Sequence, residues 1–221
     1  MTQKYLATTL TESVCRTQQQ YYDRSIAVQD IPGRDALGEA EATFIAARDS
    51  FYLGSVSETG WPYIQHRGGP SGFLRVIDPQ TLAFADYQGN RQLISTGNLV
   101  MNNRVTLFLM DYRSRQRLKI VGHARIQDAR EVDDSTLQVI GAPLRTKVER
   151  TIFIDVVGYD WNCPKHITAR YSAHDVDELV GSLRERILLL ESELRSLRKK
   201  SDNKESRVVS ETGSIKALSG G

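Results

Sequence analysis

Between residues 50 and 157 the chain is a succession of short apolar stretches separated by tight turns, and this restricts its fold more than any other feature. Stretches 50–56 and 61–67 flank Ser57-Glu58-Thr59-Gly60, a turn sequence ending in glycine, and read as a hairpin. Stretches 73–77 and 81–85 form a second hairpin around Asp78-Pro79, and 105–110, 118–126 and 151–157 complete the strands. A parallel sheet needs a long crossover after every strand. Here only a helical stretch at 90–101 and a short one near 133–140 interrupt the strands. The pattern predicts a mainly β fold, an antiparallel barrel or sandwich with peripheral helices.

The flanks differ from this centre. Residues 8–24 read as one polar, Gln-rich helix, 30–38 as a loop and 39–48 as a helix with Ala40, Phe44 and Ala47 on one side. Toward the C-terminus Val176, Val180, Leu183, Ile187, Leu190, Leu194 and Leu197 follow a 4-3 spacing, flanked by Arg184, Glu185, Arg186, Glu191, Glu193, Arg195 and Arg198. That is a heptad seam, open to two readings: self-association, or an amphipathic helix lying on its own domain. From 201 onward the chain is polar and aperiodic and is expected to be disordered. The expected organisation is 1–38 extension, 39–172 barrel domain, 173–200 helix and 201–221 tail.

With 40% apolar residues the chain can bury a core, and a formal charge of +2 gives no global field for nucleic acid or an anionic membrane. No window approaches the roughly 18 apolar residues of a membrane span, and the first ten residues lack a secretory layout. Two distant cysteines, Cys15 and Cys163, read as reduced thiols, so a cytoplasmic location is expected. Cys163 and His166 have chelating spacing, but zinc takes four ligands and the other histidines form no second close pair, so no metal is expected.

Four stretches are poor choices for mere structure. His66-Arg67-Gly68-Gly69 ends a strand with paired glycines, where a flat ligand can approach the backbone. Asp86-Tyr87-Gln88-Gly89-Asn90-Arg91-Gln92 places a helix N-cap, Asn90, beside an arginine, an arrangement suited to a phosphate. Arg115, Arg117 and Lys119 are expected to share one face of a strand. Trp161 and Asn162 precede a proline-fixed turn that could wall an aromatic ligand.

Taken together, "HRGGPSGFLRVID", "TLAFADYQGNRQLISTGNLVMNN", "RLKIVGHARI" and "YDWNCPKHI" resemble, in order and spacing, the pyridoxamine 5′-phosphate oxidase-like split-barrel family over about residues 10–172. The resemblance implies a six-stranded antiparallel split β-barrel that forms a homodimer with FMN at the subunit interface. It implies that His66, Arg67, Gly68 and Gly69 line the flavin ring, while Asp86, Asn90, Arg91 and Gln92 surround the ring edge and the phosphate. Arg117 would reach the flavin from across the cleft, Trp161 and Asn162 would close the pocket, and Arg75 is a further candidate. The basic pair that opens the helix in true pyridoxamine phosphate oxidases is Arg91-Gln92 here, and an Arg-rich C-terminal ending is missing. The resemblance therefore carries over no vitamin-B6 substrate. The expected function is an FMN-dependent oxidoreductase acting on a small-molecule substrate or electron donor. The alternatives are a non-catalytic flavin module, or a relative holding haem or a deazaflavin in the same cleft.

Overall fold

A computed structural model describes residues 2–29, 32–141, 148–161 and 165–218, the last stretch with side chains through 200. Seven strands form one antiparallel sheet: β1 (Ser50–Val56), β2 (Pro62–Gly68), β3 (Arg75–Asp78), β4 (Thr81–Tyr87), β5 (Arg104–Asp111), β6 (Gln116–Asp128) and β7 (Val148–Trp161). Their order is β2-β1-β5-β6-β7-β4-β3. The fold is the mainly β split barrel expected, with β3 overlapping the stretch read as a strand at 73–77 and seven strands where the resemblance implied six.

The edge strands β2 and β3 are consecutive in the chain, and this fixes the shape of the sheet. Laid flat, seven strands would part their edges by roughly 29 Å, whereas the 69–74 connection spans at most about 24 Å. That connection is not even extended, since the Phe73 amide donates to the Pro70 carbonyl at 2.9 Å. The sheet must therefore coil until its edges approach. It leaves a slot between β2 and the β3–β4 hairpin, and the Arg67–Asp86 contact, 2.5 Å, crosses that slot.

Period-two alternation fills the interior. Phe51 and Leu53 of β1, Val105, Leu107 and Leu109 of β5, and Leu118, Ile120 and Ala124 of β6 share one buried cluster. Ile152, Ile154 and Val156 of β7 join it, with Leu82 and Phe84 of β4. Phe51, Phe73 and Phe84 close the slot end of the core, with Phe51–Phe73 centroids 5.5 Å apart and Phe51–Phe84 5.3 Å apart. The opposite face of β4 and β7, with Ala83, Ala85 and Phe153, packs against Ala129, Val132 and Ile140. The last of these follows α5 (Asp134–Val139), whose N-cap Asp133 accepts from the Thr136 amide at 2.8 Å.

Two helices replace the single one expected at 8–24. These are α1 (Gln3–Thr9) and α2 (Glu12–Tyr22), broken where Leu10 and Thr11 leave helical geometry. The α1 helix docks on β7 through buried Tyr5 and Leu6. The Thr2 hydroxyl donates to the Tyr159 carbonyl at 2.7 Å. Helix α3 (Glu39–Ala46) starts where Glu41 accepts the Gly38 amide at 2.9 Å, and α4 (Ile94–Met101) links β4 to β5.

Residues 1–169 form one compact unit and 170–221 a second. The second contains α6 (Ala173–Leu218). Its helical backbone continues past 200, where the sequence pattern placed the start of an unstructured tail. No helix among the described residues is long and apolar enough to cross a membrane.

Candidate functional site

Alternation along the strands delivers charged groups to the slot. On β4 the inward positions are Leu82, Phe84 and then Asp86, so the core face ends in a carboxylate that is only 6% exposed. On β2 the partly buried positions are Tyr63, Gln65 and Arg67. The Arg67 Nη1 donates to Asp86 Oδ1 at 2.5 Å. Arg150, the register partner of Asp86 on β7, donates through Nε to Asp86 Oδ2 at 3.0 Å and through Nη2 to Glu149 at 2.7 Å. One buried carboxylate thus orients two arginines. Partial burial alone would lower the Arg150 pKa, but hydrogen bonding to Asp86 and Glu149 outweighs it and raises it. The Arg67 Nε–H has no hydrogen-bond partner among the described residues.

These groups form one wall of a polar cleft of about 200 Å³, with the 89–96 segment as the other. The sequence pattern placed a helix start at Asn90; the helix instead begins at Ile94. Arg91 (φ 60°) and Leu93 (φ 53°) adopt left-handed backbone, which no α-helix can contain. Asn90 caps a turn rather than a helix, its Oδ1 accepting from the Gln92 amide at 3.1 Å. The turn holds Asn90, Arg91 and Gln92 along the cleft with Arg67 and Asp86. Ser95 donates to Gln65 at 2.6 Å and Asn98 to Ser55 at 3.0 Å, fixing α4 against β2 and β1.

Other expected site residues lie elsewhere in the protomer. His66 points to the face of β2 opposite Arg67, its ring edge-on to Tyr52 at 5.7 Å. At Gly69 an added Cβ would stand 2.7 Å from the Phe73 ring. The bare backbone there is covered by Phe73, and Gly68 adjoins the His66 ring. Arg75 packs beside Gly141. Arg117 lies on β6 with its guanidinium 5.8 Å from the Phe108 ring, and Lys119 pairs with Asp160 at 2.8 Å. Arg115 does not share their strand face, because it sits in the preceding turn with φ 55°. Trp161 ends β7, donating to Glu41 at 2.6 Å and meeting Phe44 edge-on at 4.8 Å. It borders a wider cleft of about 950 Å³ with Thr43, Arg48, Asp111 and Arg115. Asn162 lies outside the described residues.

A family model described as pyridoxamine 5′-phosphate oxidase matches residues 37–152. The chain belongs to that family. No curated protein matches it. Among solved structures, HupZ from Group A Streptococcus shares 15% identity at a TM-score of 0.46, covering 62% of this chain and 99% of its own. An FMN-binding protein from Syntrophomonas wolfei shares 13% at 0.40, covering 57% and 84%. HutZ, the heme storage protein from Vibrio cholerae, shares 15% at 0.40, covering 57% and 94%.

FMN, the cofactor this family implies, offers a phosphate monoester, a polar ribityl chain and a flat ring. The slot of this family member fits the phosphate end. Three arginines face two carboxylates there, and the guanidinium of Arg67 retains an orphaned N–H. Tyr87, Leu93 and Ile94, each 41–47% exposed, border the same cleft and offer apolar surface to a ring. Arg150 and Glu149 were not recognisable from local sequence. Arg150 stands inside an ordinary strand, and only its pairing with Asp86, 64 residues away, marks it.

Proposed function

We propose that this chain binds FMN in the slot between β2 and β4 and serves as an FMN-dependent oxidoreductase. The observation carrying the reading is the buried Asp86 carboxylate, which holds Arg67 and Arg150 side by side at the cleft wall beside Arg91. A phosphate dianion needs converging cationic donors held in place before it arrives. Asp86 does the holding, and its own charge keeps the two arginines from repelling each other when no ligand is bound. Bound flavin would supply the electron chemistry. The roles of this chain's residues are to bind, orient and tune.

The reading includes a homodimer. Arg150 and Trp161 stand near opposite ends of β7, on the order of 35 Å apart at about 3.3 Å per residue. One protomer therefore cannot place both against the same ring. If Arg117 and Trp161 act at a flavin, they act at the one held by the other subunit's slot. The outer face of β1 and β2, with Tyr52 and Ile64 40% and 70% exposed, and Trp61 in the turn between them offer apolar surface for such a contact. A cation from Arg117 of the partner subunit near the ring would stabilise the anionic reduced flavin.

Titration of the purified protein with FMN, followed by quenching of flavin fluorescence, tests the slot. Arg67→Ala removes a charge-assisted hydrogen bond worth about 1.5–3 kcal/mol. It should weaken binding by roughly 10- to 150-fold. Arg125→Ala, on an outer face beside Asp155, should bind as the parent does. Equal affinity for both variants would remove the slot from the account.

A further inference from the structure

The apolar stripe on α6 has no partner within its own helix, and its residues are chosen in a way that names one. Val176, Leu183, Ile187, Leu190, Leu194 and Leu197 are each 42–62% exposed in the protomer. A helix draws most of its stability from burying such a face, and the 4-3 spacing sets these residues in one line, with Leu179, Leu188 and Leu189 exposed beside it.

With Val176 at d, the a positions are Val180, Ile187 and Leu194, and the d positions are Val176, Leu183, Leu190 and Leu197. Two of three a residues are β-branched and three of four d residues are leucine, the distribution that in a parallel coiled coil favours two strands over three or four. The flanks agree. In a parallel, in-register pair each g side chain meets the e side chain five residues further along the partner. Arg186 then meets Glu191 of the partner subunit, and Glu193 meets Arg198 of the partner subunit. Both contacts join opposite charges, and two-fold symmetry repeats each of them. Ser201 and Lys204 take the next a and d positions, so the apolar seam ends at Leu197. The same charges also match in an antiparallel pair with Arg186 opposite Glu193 of the partner subunit. In that antiparallel register Val176 falls opposite Ser201 of the partner subunit, whereas the parallel pair sets every apolar seam residue against its own counterpart and so favours the parallel arrangement.

We propose that α6 binds the α6 of a second copy of this chain as a parallel, in-register, two-stranded coiled coil over residues 176–197. This surface is separate from the flavin slot and stands or falls without it.

Disulfide trapping in the full-length chain tests the proposal. Cys15→Ser and Cys163→Ser clear the native thiols, and Leu197→Cys adds one at the last apolar d position. In the parallel pair residue 197 faces its own counterpart. In the charge-matched antiparallel pair it faces Val180 of the partner subunit, about 25 Å from its counterpart at 1.5 Å rise per residue. In a glutathione redox buffer, Leu197→Cys should give predominantly covalent dimer on a non-reducing gel. Arg195→Cys, a b position on the outer face, should remain largely monomeric on the same gel. A monomeric Leu197→Cys, or equal cross-linking of the two variants, would overturn the proposal. An antiparallel pair or a helix bound to its own barrel would give the first of these results.

Discussion

At the scale of single residues, two of the ion pairs withdrawn from solvent have different consequences. Asp86 is deeply buried and bonded to two arginines, so breaking that set leaves a charge stranded at the slot. Its position was readable from sequence because the 86–92 run departs from ordinary strand and helix composition. Arg150 was not readable, because its meaning arises only from strand register. The second pair, Arg48 Nη2 and Asp111 Oδ2 at 3.0 Å, ties the segment just after α3 to the end of β5 beside the wider cleft. Partial burial alone would raise the Asp111 pKa, but the Ser114 amide and the Arg48 guanidinium outweigh it and hold it below 3.8. A carboxyl whose folded pKa is depressed contributes stability that is complete above its unfolded pKa and is lost as pH falls through the folded value. Thermal unfolding between pH 6 and pH 3 should therefore show a steeper loss of Tm below about pH 4 for the parent than for Asp111→Asn. The variant should be less stable at pH 6, and parallel curves would show that Asp111 contributes nothing to the acid limb.

At the scale of elements, strands whose apolar alternation is regular were placed within a few residues. The misplacements have a common cause in backbone geometry that side-chain pattern does not encode. The helix expected from Asn90 starts at Ile94 because Arg91 and Leu93 are left-handed. The helix expected over 8–24 divides at Leu10 and Thr11. The glycines at 68 and 69 suggested an open backbone, yet Phe73 fills the space beside Gly69. Glycine at 122 marks a different event, the register shift between β6 and β7 at Val121 and Gly122. A Cβ there would lie 2.5 Å from the Asp155 carbonyl and 3.0 Å from Ile154 Cγ2, with main chain on one side and core on the other. Gly122→Ala should destabilise the protein by about 2 kcal/mol or more in urea unfolding. Gly97→Ala, on α4 with nothing within 4 Å, should be neutral or slightly stabilising. Comparable losses for both would mean that the bulge yields to a methyl group.

At the scale of the whole molecule, coiling the sheet until β2 approaches β4 creates the slot, and that closure was visible in sequence only as a family resemblance. Turn spacing alone allowed a barrel or a sandwich. The order β2-β1-β5-β6-β7-β4-β3 and the short 69–74 connection decide for the split barrel. The site residues named from sequence divide between the slot, with Arg67, Asp86, Asn90, Arg91 and Gln92, and distant places, with His66, Arg117 and Trp161. The proposed homodimer would bring Arg117 and Trp161 of one subunit toward the slot of the other. The central claim is that the slot holds FMN. Its most direct test is the visible spectrum of the purified protein, followed by denaturation and mass identification of the released compound, with added FMN if the preparation is colourless. The account predicts FMN at close to one molecule per chain, either retained on purification or taken up on addition. A protein that carries no FMN and binds none at micromolar concentrations would contradict it.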